Sequence, residues 1–393
     1  MHGRLLQGAV EQLREQEIAA SVGAQRRVHQ ILHGWAGGGG NALQRVVRQT
    51  VSGHDAGHQT GCLPESVGER GRGQAGRQTS RGGGVRHGDD YRTRHNAAMR
   101  PLFFLLIFLC LSGPTHAWNA AGHRLAALLA WDGMQPKTRN FVRDLLLRHP
   151  DTRRWREKAG ADDAALLFAE ASTWADGIRH DVRFRASGAN AAPLPGFPDM
   201  SAHADWHYVN IDRQGRRRGG QIDTQIVRLA AILESSQDAA ELAWALPWLA
   251  HLVGDVHQPL HTGYSEDRGG NGVLVENPDN PRQPFVKLHV YWDDLPGPSG
   301  LRGKKLRRAA AQLRVPAQTA TGTPQSWMQE SQRLLPQAYP ATLGSVSFIL
   351  SERFVADSQR IADERLAAAG YRLGALLDAV CVSRETRGVR PVC

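Results

Sequence analysis

Residues 251–261 of this 393-residue chain read HLVGDVHQPLH. His251 precedes Asp255 by four residues, a spacing that places two side chains on one face of a helix, one turn apart. His261 follows Pro259, where we expect the helix to have ended. Imidazole nitrogens and carboxylate oxygens both bind zinc, and burying so many imidazoles among Leu and Val would be costly unless a metal satisfied them. The segment therefore predicts a helix that carries a metal site.

A second segment repeats this spacing. Residues 288–294 read LHVYWDD, in which His289 precedes Asp293 by four residues. A single histidine on an apolar helix face is more often a hydrogen-bonded core residue than a ligand, and one His-x-x-x-Asp pair often arises by chance. Two such pairs together indicate a site for several metal ions that is assembled from helices.

Apolar residues recur at helical intervals through most of the chain after residue 118, and strand signals are scarce. We predict helices in residues 120–147, 162–180, 221–256, 287–295, 301–313, 326–335 and 346–382. Gly133 and Pro136 are expected to interrupt the first of these, and Pro247 is expected near a helix start or at a kink. Residues 206–211, WHYVNI, are expected to be short and extended. The patterns predict a mainly α fold, with one helical domain and little β structure.

The sequence changes character near residue 99. Residues 1–98 are rich in Gly, Arg, Gln and His and have too few apolar residues to offset the chain entropy of folding. Met99-Arg100 is followed by the apolar run PLFFLLIFLCLSG, which is typical of a secretory signal peptide over residues 99–117 that is cleaved after Ala117. Because such a peptide normally starts a protein, we infer that residues 1–98 come from an over-extended reading frame. The alternative is a disordered extension ahead of an internal anchor.

A cleaved signal peptide predicts a secreted or periplasmic protein of residues 118–393. That segment has 34 Lys and Arg against 30 Asp and Glu, so most of the chain's net charge of +10 lies upstream. The high pI is therefore poor evidence of nucleic-acid binding. Local basic clusters at Arg216–Arg218 and Arg302–Arg308 are more often solvated faces than binding sites.

Two of the four cysteines, Cys381 and Cys393, follow the predicted cleavage site. An even number of cysteines in an oxidising compartment favours a disulfide. We therefore predict a bond between Cys381 and Cys393 that ties down the carboxyl-terminal tail, with two free thiols as the alternative.

Six motifs occur in order over most of residues 118–294: WNAAGH, STWADGIR, WHYVNI, HLVGDVHQPLH, DRGGN and LHVYWDD. In these motifs and their order the chain resembles the zinc-dependent single-strand nucleases of the S1/P1 family, which includes plant bifunctional nucleases and bacterial homologues. The last hundred residues match only in being helical. The resemblance implies a secreted helical enzyme that hydrolyses single-stranded DNA and RNA to 5′-mononucleotides, with 3′-nucleotidase activity, over residues 118–393.

The resemblance also implies three zinc ions. Carried over position by position, the implied ligands are Trp118, His123, Asp176, His207, His251, Asp255, His261, His289 and Asp293. The first zinc takes Asp176, His207, His251 and Asp255. The second takes the free amine and carbonyl of Trp118 with His123 and shares Asp255, so that cleavage before Trp118 completes the site. The third takes His261, His289 and Asp293, whereas His257 is implied to be a structural hydrogen-bonding residue.

A water that bridges the two close zinc ions would have its pKa lowered towards about 7, which supplies hydroxide at neutral pH. It would attack phosphorus in line, while the third zinc stabilises the leaving 3′ oxygen. Catalysis then depends on Asp176, Asp255 and Arg179. The resemblance implies that Arg179 contacts the scissile phosphate. The resemblance places a base on the ring of Tyr208, and stacking favours single strands. Where the family commonly orients the arginine with an aspartate, this chain has Asn210.

Two other functions fit part of the pattern. Zinc phospholipase C is a related trinuclear helical enzyme, but only four residues separate Trp118 from His123 and the last ligand is Asp293 rather than Glu. A non-catalytic periplasmic zinc-binding protein would need neither Arg179 nor Tyr208. We therefore favour the nuclease, with single-stranded nucleic acid and nucleotides as substrates, no stable protein partner and no membrane after signal cleavage.

Overall fold

The computed structural model describes residues 118–160, 162–184, 193–278, 280, 282–313, 321–341 and 349–390. The predicted extension, residues 1–98, and the predicted signal peptide, residues 99–117, lie outside the described residues, and so does Cys393. Trp118, the predicted first residue of the mature chain, is the first residue described.

Most of the described chain is α-helical, and the prediction of a mainly α fold with little β structure is confirmed. The helices are α1 (Ala120–Gly133), α2 (Pro136–Arg148), α3 (Thr152–Ala159), α4 (Ala164–Ala171), α5 (Trp174–Gly177), α6 (Ile222–Ser235), α7 (Ala239–Asp255), α8 (Leu288–Asp294), α9 (Gly303–Gln312), α10 (Pro324–Arg333), α11 (Leu335–Ala338) and α12 (Glu352–Arg387). Two antiparallel hairpins are described beside them, β1 (Val209–Ile211) with β2 (Arg217–Gly220) and β3 (Leu274–Glu276) with β4 (Phe285–Lys287). Short 3-10 helices at Ala204–His207 and Pro259–Thr262 carry further site residues.

The longest helix, α12, packs along α1 in the core. A Cβ atom on Gly370 would lie 2.4 Å from Leu129 Cβ, so this glycine lets the two helices approach closely. By length and composition α12 could cross a membrane, but 61% of its most apolar window is buried inside the fold. A helix that is buried in this way is a core helix of the protein.

The first helical region divides where the sequence predicted, since α1 ends at Gly133 and α2 begins at Pro136. The prediction of one helix over residues 162–180 is wrong, because α4 ends at Ala171 and a turn precedes α5. In that turn the hydroxyls of Ser172 and Thr173 donate to the carbonyl oxygens of Ala169 and Glu170, both at 2.8 Å. Such local side-chain bonds compete with the helical ladder.

Helix α7 passes through the core and brings the central motif with it. The carboxylate of Asp238 caps its first turn by accepting from the amide of Ala240 at 2.8 Å. Every residue from Leu242 to Asp255 is buried. Pro247 lies in the middle of α7 and not near its start. A helix that is apolar on all sides is buried on all sides. His251 and Asp255, at the carboxyl-terminal end of α7, are therefore buried with the rest of the helix.

Candidate metal centre and nucleic-acid cleft

The carboxyl-terminal end of α7 carries the first group of predicted ligands. His251 Nε2 lies 3.2 Å from Asp255 Oδ2. His207, at the end of its 3-10 helix, reaches the same point, with Nδ1 3.0 Å from Asp255 Oδ2 and 3.1 Å from His251 Nε2. Atoms that are each about 2.0–2.1 Å from one tetrahedral zinc lie about 3.3 Å apart. These three atoms are therefore spaced as ligands of one ion would be.

Asp176, on α5, lies beside this group. Its Oδ1 is 3.7 Å from His251 Nε2 and 3.9 Å from His207 Nδ1. The same carboxylate forms a further group with His123 and His251, in which all three ligand atoms lie within 4.8 Å of one another. The two groups share His251 and thus form one continuous cluster.

The amino-terminal end of the described chain closes the other side of this cluster. His123 Nε2 lies 3.3 Å from Asp255 Oδ1, and its ring stacks on that of His251 with centroids 3.8 Å apart. Trp118 is fully buried, and its Nε1 donates to the carbonyl of Gly254 at 3.1 Å. Asp255 thus directs one carboxylate oxygen towards His123 and the other towards His207 and His251.

The third group consists of His261, His289 and Asp293, whose ligand atoms lie within 4.8 Å of one another. His289 and Asp293 lie one turn apart on α8, with 3.7 Å between Nε2 and Oδ2. Gln258 donates from Nε2 to Asp293 Oδ1 at 2.8 Å, which leaves Oδ2 facing the histidines. Burial raises the pKa of Asp293 well above its usual value, so a metal that binds here would displace a proton.

Three of the histidines are oriented by backbone carbonyl groups. His251 Nδ1 donates to Ser172 O at 2.9 Å. His261 Nδ1 donates to His207 O at 2.5 Å, and His289 Nδ1 donates to Gly269 O at 2.6 Å. In each ring the proton on Nδ1 leaves the lone pair on Nε2 available. This arrangement is usual for histidines that bind a metal through Nε2.

Several buried atoms that face these groups have no hydrogen-bond partner within the part of the chain that the structure describes. They are His123 Nε2, Asp255 Oδ1, His261 Nε2 and Asp293 Oδ2. A buried polar atom without a partner costs about 1–3 kcal/mol. Nitrogen and oxygen ligands at these positions suit zinc, so the residues present fit a bound metal.

The charge states of three of the predicted ligands also suit a metal. Burial lowers the pKa of His123 to about 3, and burial together with Arg179 lowers that of His207 to about 4. Burial opposes the ionisation of Asp255, but the neighbouring imidazoles, first that of His251, outweigh it and hold the pKa of Asp255 well below its usual range. Neutral imidazoles and an ionised carboxylate are the forms that bind metal ions.

The ligands form part of the wall of an open cleft of about 620 Å³. The wall includes the predicted ligands His207, His261 and His289. It also includes four cationic or imidazole side chains and four polar or aromatic ones, which are Arg179, His180, Arg268 and Lys287, and Tyr208, Phe184, Asn210 and Asn271. Metal ligands, positive charges and aromatic rings therefore meet in one cavity, as binding of a nucleic acid requires.

The three predicted substrate contacts, Arg179, Tyr208 and Asn210, all lie in this cleft. Arg179 Nη1 is 3.7 Å from Asp176 Oδ1, so the guanidinium lies next to a predicted metal ligand. Asp212, the nearest aspartate after Asn210 in the chain, accepts hydrogen bonds from the arginines of the β1–β2 turn instead.

Comparison with known proteins gives one consistent result. The sequence profile described as S1/P1 Nuclease matches residues 118–382. Nuclease S1 of Aspergillus oryzae is 25% identical over 295 residues, which cover 69% of this chain and 94% of that protein. Endonuclease 4 of Arabidopsis thaliana is 25% identical over 303 residues, or 71% and 94% of the two chains. Endonuclease 2 of the same plant is 26% identical over 201 residues, or 49% and 60%.

The chain belongs to the S1/P1 nuclease family. It is therefore a hydrolase that cleaves nucleic acids, and the His and Asp groups are those of a metal-dependent nuclease family. The family resemblance that the six motifs predicted is confirmed.

In this S1/P1 nuclease His257 is bonded to the structure around it and lies apart from the metal groups. Its Nδ1 donates to Val253 O at 2.7 Å, and its Nε2 accepts from Arg372 Nη1 at 2.9 Å. Both ring nitrogens are thus occupied, as the structural role implied for His257 requires. Arg372 also binds Glu330 of α10, so the carboxyl-terminal helices brace the turn that follows Asp255.

Four polar residues of the nuclease cleft were not predicted from the sequence, which are Arg268, Asn271, Lys287 and His180. The first two belong to the DRGGN motif, which was recognised without any role for its side chains. Arg268 adopts a positive φ of 57°, a conformation that is uncommon for residues other than glycine. The motif's carbonyl at Gly269 also orients His289. A charged residue within a glycine-rich turn was the available signal.

Proposed function

We propose that this S1/P1 nuclease is a secreted or periplasmic phosphodiesterase that uses three zinc ions. Its substrates are single-stranded DNA and RNA, which it hydrolyses to 5′-mononucleotides, and it also acts as a 3′-nucleotidase. The observation that carries the proposal is that His207, His261 and His289 line the same cleft as Arg179 and Tyr208. A phosphodiester in that cleft would lie beside the metal ligands and a guanidinium together.

The ligand assignment follows the three groups. Asp255 joins the first two, because its two oxygens lie 3.0 Å from His207 Nδ1 and 3.3 Å from His123 Nε2. The buried amino-terminal residue Trp118 supplies its amine and carbonyl on the His123 side. When bound, zinc lowers the pKa of a coordinated water to about 7 and offsets negative charge on the phosphate.

The chain's own residues hold and orient the substrate. Arg179 binds the non-bridging oxygens of the scissile phosphate, because a guanidinium presents a planar set of donors to such oxygens. Lys287 and Arg268, in the same cleft, offset the charge of the neighbouring phosphates. Tyr208 stacks on a base, which contributes about 1–3 kcal/mol and tolerates any base. Stacking requires a base that is free to leave its partner strand, which favours single strands.

A panel of substrates tests this function. The chain that begins at Trp118 is assayed on single-stranded DNA, RNA, a 3′-mononucleotide, duplex DNA and phosphatidylcholine, before and after chelation and again after zinc is restored. We expect the first three to be hydrolysed, the duplex to be cut more slowly, and activity to return with zinc. Hydrolysis of phosphatidylcholine alone would favour the phospholipase. Zinc binding without turnover of any substrate would favour the non-catalytic zinc-binding protein.

Secretion and processing are part of the same proposal. Cleavage after Ala117 would free the amine of Trp118, and an oxidising compartment would allow Cys381 to pair with Cys393. Amino-terminal sequencing and mass spectrometry with and without reductant test both points on the native protein. A first residue other than Trp118, or peptides from residues 1–98, would contradict the processing, and two free thiols would contradict the disulfide.

A further inference from the structure

The hairpin of β1 and β2 continues outwards from the wall of the cleft. Tyr208 and Asn210 line the cleft, and Asn210 pairs with Gly219 across the hairpin. Between residues 212 and 223 the chain has four arginines against two aspartates. This part of the hairpin is therefore positively charged, and it begins four residues after Tyr208, the proposed base-stacking residue.

Two of these arginines are held in place by one buried carboxylate. Asp212 accepts from Arg216 Nε at 2.8 Å and from Arg218 Nε at 2.9 Å. The side chains of Arg216 and Arg218 remain 66% and 47% exposed. A guanidinium has five N–H donors, so a single carboxylate cannot satisfy both. Arg216 Nη2 donates to Gln214 Oε1 at 3.2 Å, and the other remaining donors are available to another anion.

A third arginine connects the hairpin to the segment that leads into the DRGGN motif. The guanidinium of Arg213 lies over the ring of Tyr264, with Cζ 3.8 Å from the ring centroid. Tyr264 is 5.3 Å from the ring of Tyr339, whose hydroxyl donates to Asp267 Oδ1 at 2.9 Å. Arg268, the next residue, lines the cleft. Arg213 is exposed, and its contact with Tyr264 joins the hairpin to the segment before the DRGGN motif.

We infer that Arg213, Arg216 and Arg218, together with Tyr264, bind the nucleotides that flank the scissile phosphate of a single-stranded substrate. We call these four residues the hairpin surface. Its occupant is the same strand that enters the cleft, because the surface is continuous with the cleft wall and its charge is opposite to that of phosphate. The inference rests on the proposed function, and it makes long strands better substrates than dinucleotides.

The experiment compares a phosphorothioate strand of about 20 nucleotides with a dinucleotide, using the zinc-loaded protein. Binding of the strand is measured by fluorescence anisotropy over a range of salt concentrations, and hydrolysis of the unmodified forms is measured in parallel. The test variant is Arg213→Gln with Arg218→Gln, which leaves Arg216 on Asp212. The control variant is Lys304→Gln with Lys305→Gln on α9, which removes the same charge from exposed positions on another element.

In the test variant we expect binding of the long strand to weaken about tenfold at low salt. The slope of the logarithm of the binding constant against the logarithm of the salt concentration should become shallower by about 0.7 for each lost phosphate contact. Hydrolysis of the dinucleotide should change little, and the control should bind like the unmodified protein. The single variant Arg213→Gln keeps both ion pairs of Asp212 and should show part of the effect if the double variant folds poorly.

Equal losses for the long strand and the dinucleotide would overturn the inference, because the surface would then serve the cleft itself. Unchanged binding in both arginine variants, or the same loss in the lysine control, would overturn it as well. Failure of the proposed function is distinguishable, since the unmodified zinc-loaded protein would then hydrolyse neither substrate.

Discussion

The imidazole ring of His123 lies directly against the α-carbon of Gly254. A Cβ atom at residue 254 would come within 2.8 Å of His123 Nδ1. The carbonyl of the same glycine accepts from Trp118 Nε1 at 3.1 Å. One residue of α7, next to Asp255, therefore sets the positions of both Trp118 and His123, the predicted amino-terminal ligands.

Gly254→Ala should displace His123 and weaken metal binding on the amino-terminal side of the cluster. Overpacking of this kind costs about 1–3 kcal/mol, and we expect fewer zinc ions per chain and slower hydrolysis of single-stranded DNA. The measurement is zinc content by mass spectrometry beside the hydrolysis rate. Gly133→Ala at the end of α1, where a Cβ would meet nothing within 4 Å, is the matched control. Full zinc content in Gly254→Ala would refute the packing argument.

A chain that retains Ala117 before Trp118 should lose the ligand that the free amine provides. The amide nitrogen that replaces the amine has no lone pair to donate, so metal binding beside His123 weakens. We expect about one zinc fewer per chain and hydrolysis slower by about tenfold or more. The chain that starts at Trp118 is the reference. Equal zinc content and equal rates in the two chains would show that the amine is not a ligand.

The helix faces that carry the two His–Asp pairs were easier to predict from the sequence than the turns between the helices. The spacing of His251 and Asp255 and that of His289 and Asp293 was enough to place each pair on one helix face, because helical geometry depends only on sequence separation. The turn at Ser172 was not predicted, because hydroxyl groups that bond to nearby carbonyls leave little trace in the apolar pattern. That turn matters, since its carbonyl orients His251.

Contacts between residues far apart in the chain could not be predicted from a single sequence. Nothing in the spacing indicates that Arg372 of α12 reaches His257, 115 residues away in the chain. The stack of Arg213 on Tyr264 could not be predicted either, because the two residues lie in different loops and no helix or strand periodicity relates their positions. The hydrogen bond of Trp118 to Gly254 belongs to the same class of contact.

Arg372→Met should destabilise the whole fold. It removes the donor to His257 Nε2 and leaves Glu330 with Arg365 as its partner. The expected loss is about 1–3 kcal/mol in the free energy of unfolding, measured by urea denaturation. Arg353→Met on the same helix removes a 92% exposed guanidinium and should change stability by less than about 0.5 kcal/mol. Similar losses in the two variants would count against the bracing role of Arg372.

His149 should make stability depend on pH. Burial lowers its pKa from 6.5 to about 3, so the unfolded chain binds a proton more readily than the folded chain does. The contribution of His149 to the free energy of unfolding is therefore greatest above pH 6.5. It falls by about 1.4 kcal/mol per pH unit as the pH drops from there towards 3.

Burial also lowers the pKa of histidines in the metal groups, among them His123 and His289, so the contribution of His149 is read from a difference. Urea unfolding of the zinc-free protein and of His149→Asn is compared at pH 7.5 and pH 5. The loss on acidification should be smaller in the variant by about 2 kcal/mol. Identical losses would mean that His149 is not buried in its neutral form.

The central claim is that Asp255 joins two metal groups and that hydrolysis depends on them. Its most direct test is the rate at which Asp255→Ala hydrolyses single-stranded DNA with zinc present, beside Asp144→Ala, which removes an exposed carboxylate from α2. We predict no hydrolysis above background for Asp255→Ala and an unaltered rate for Asp144→Ala. Equal rates for the two variants would contradict the account.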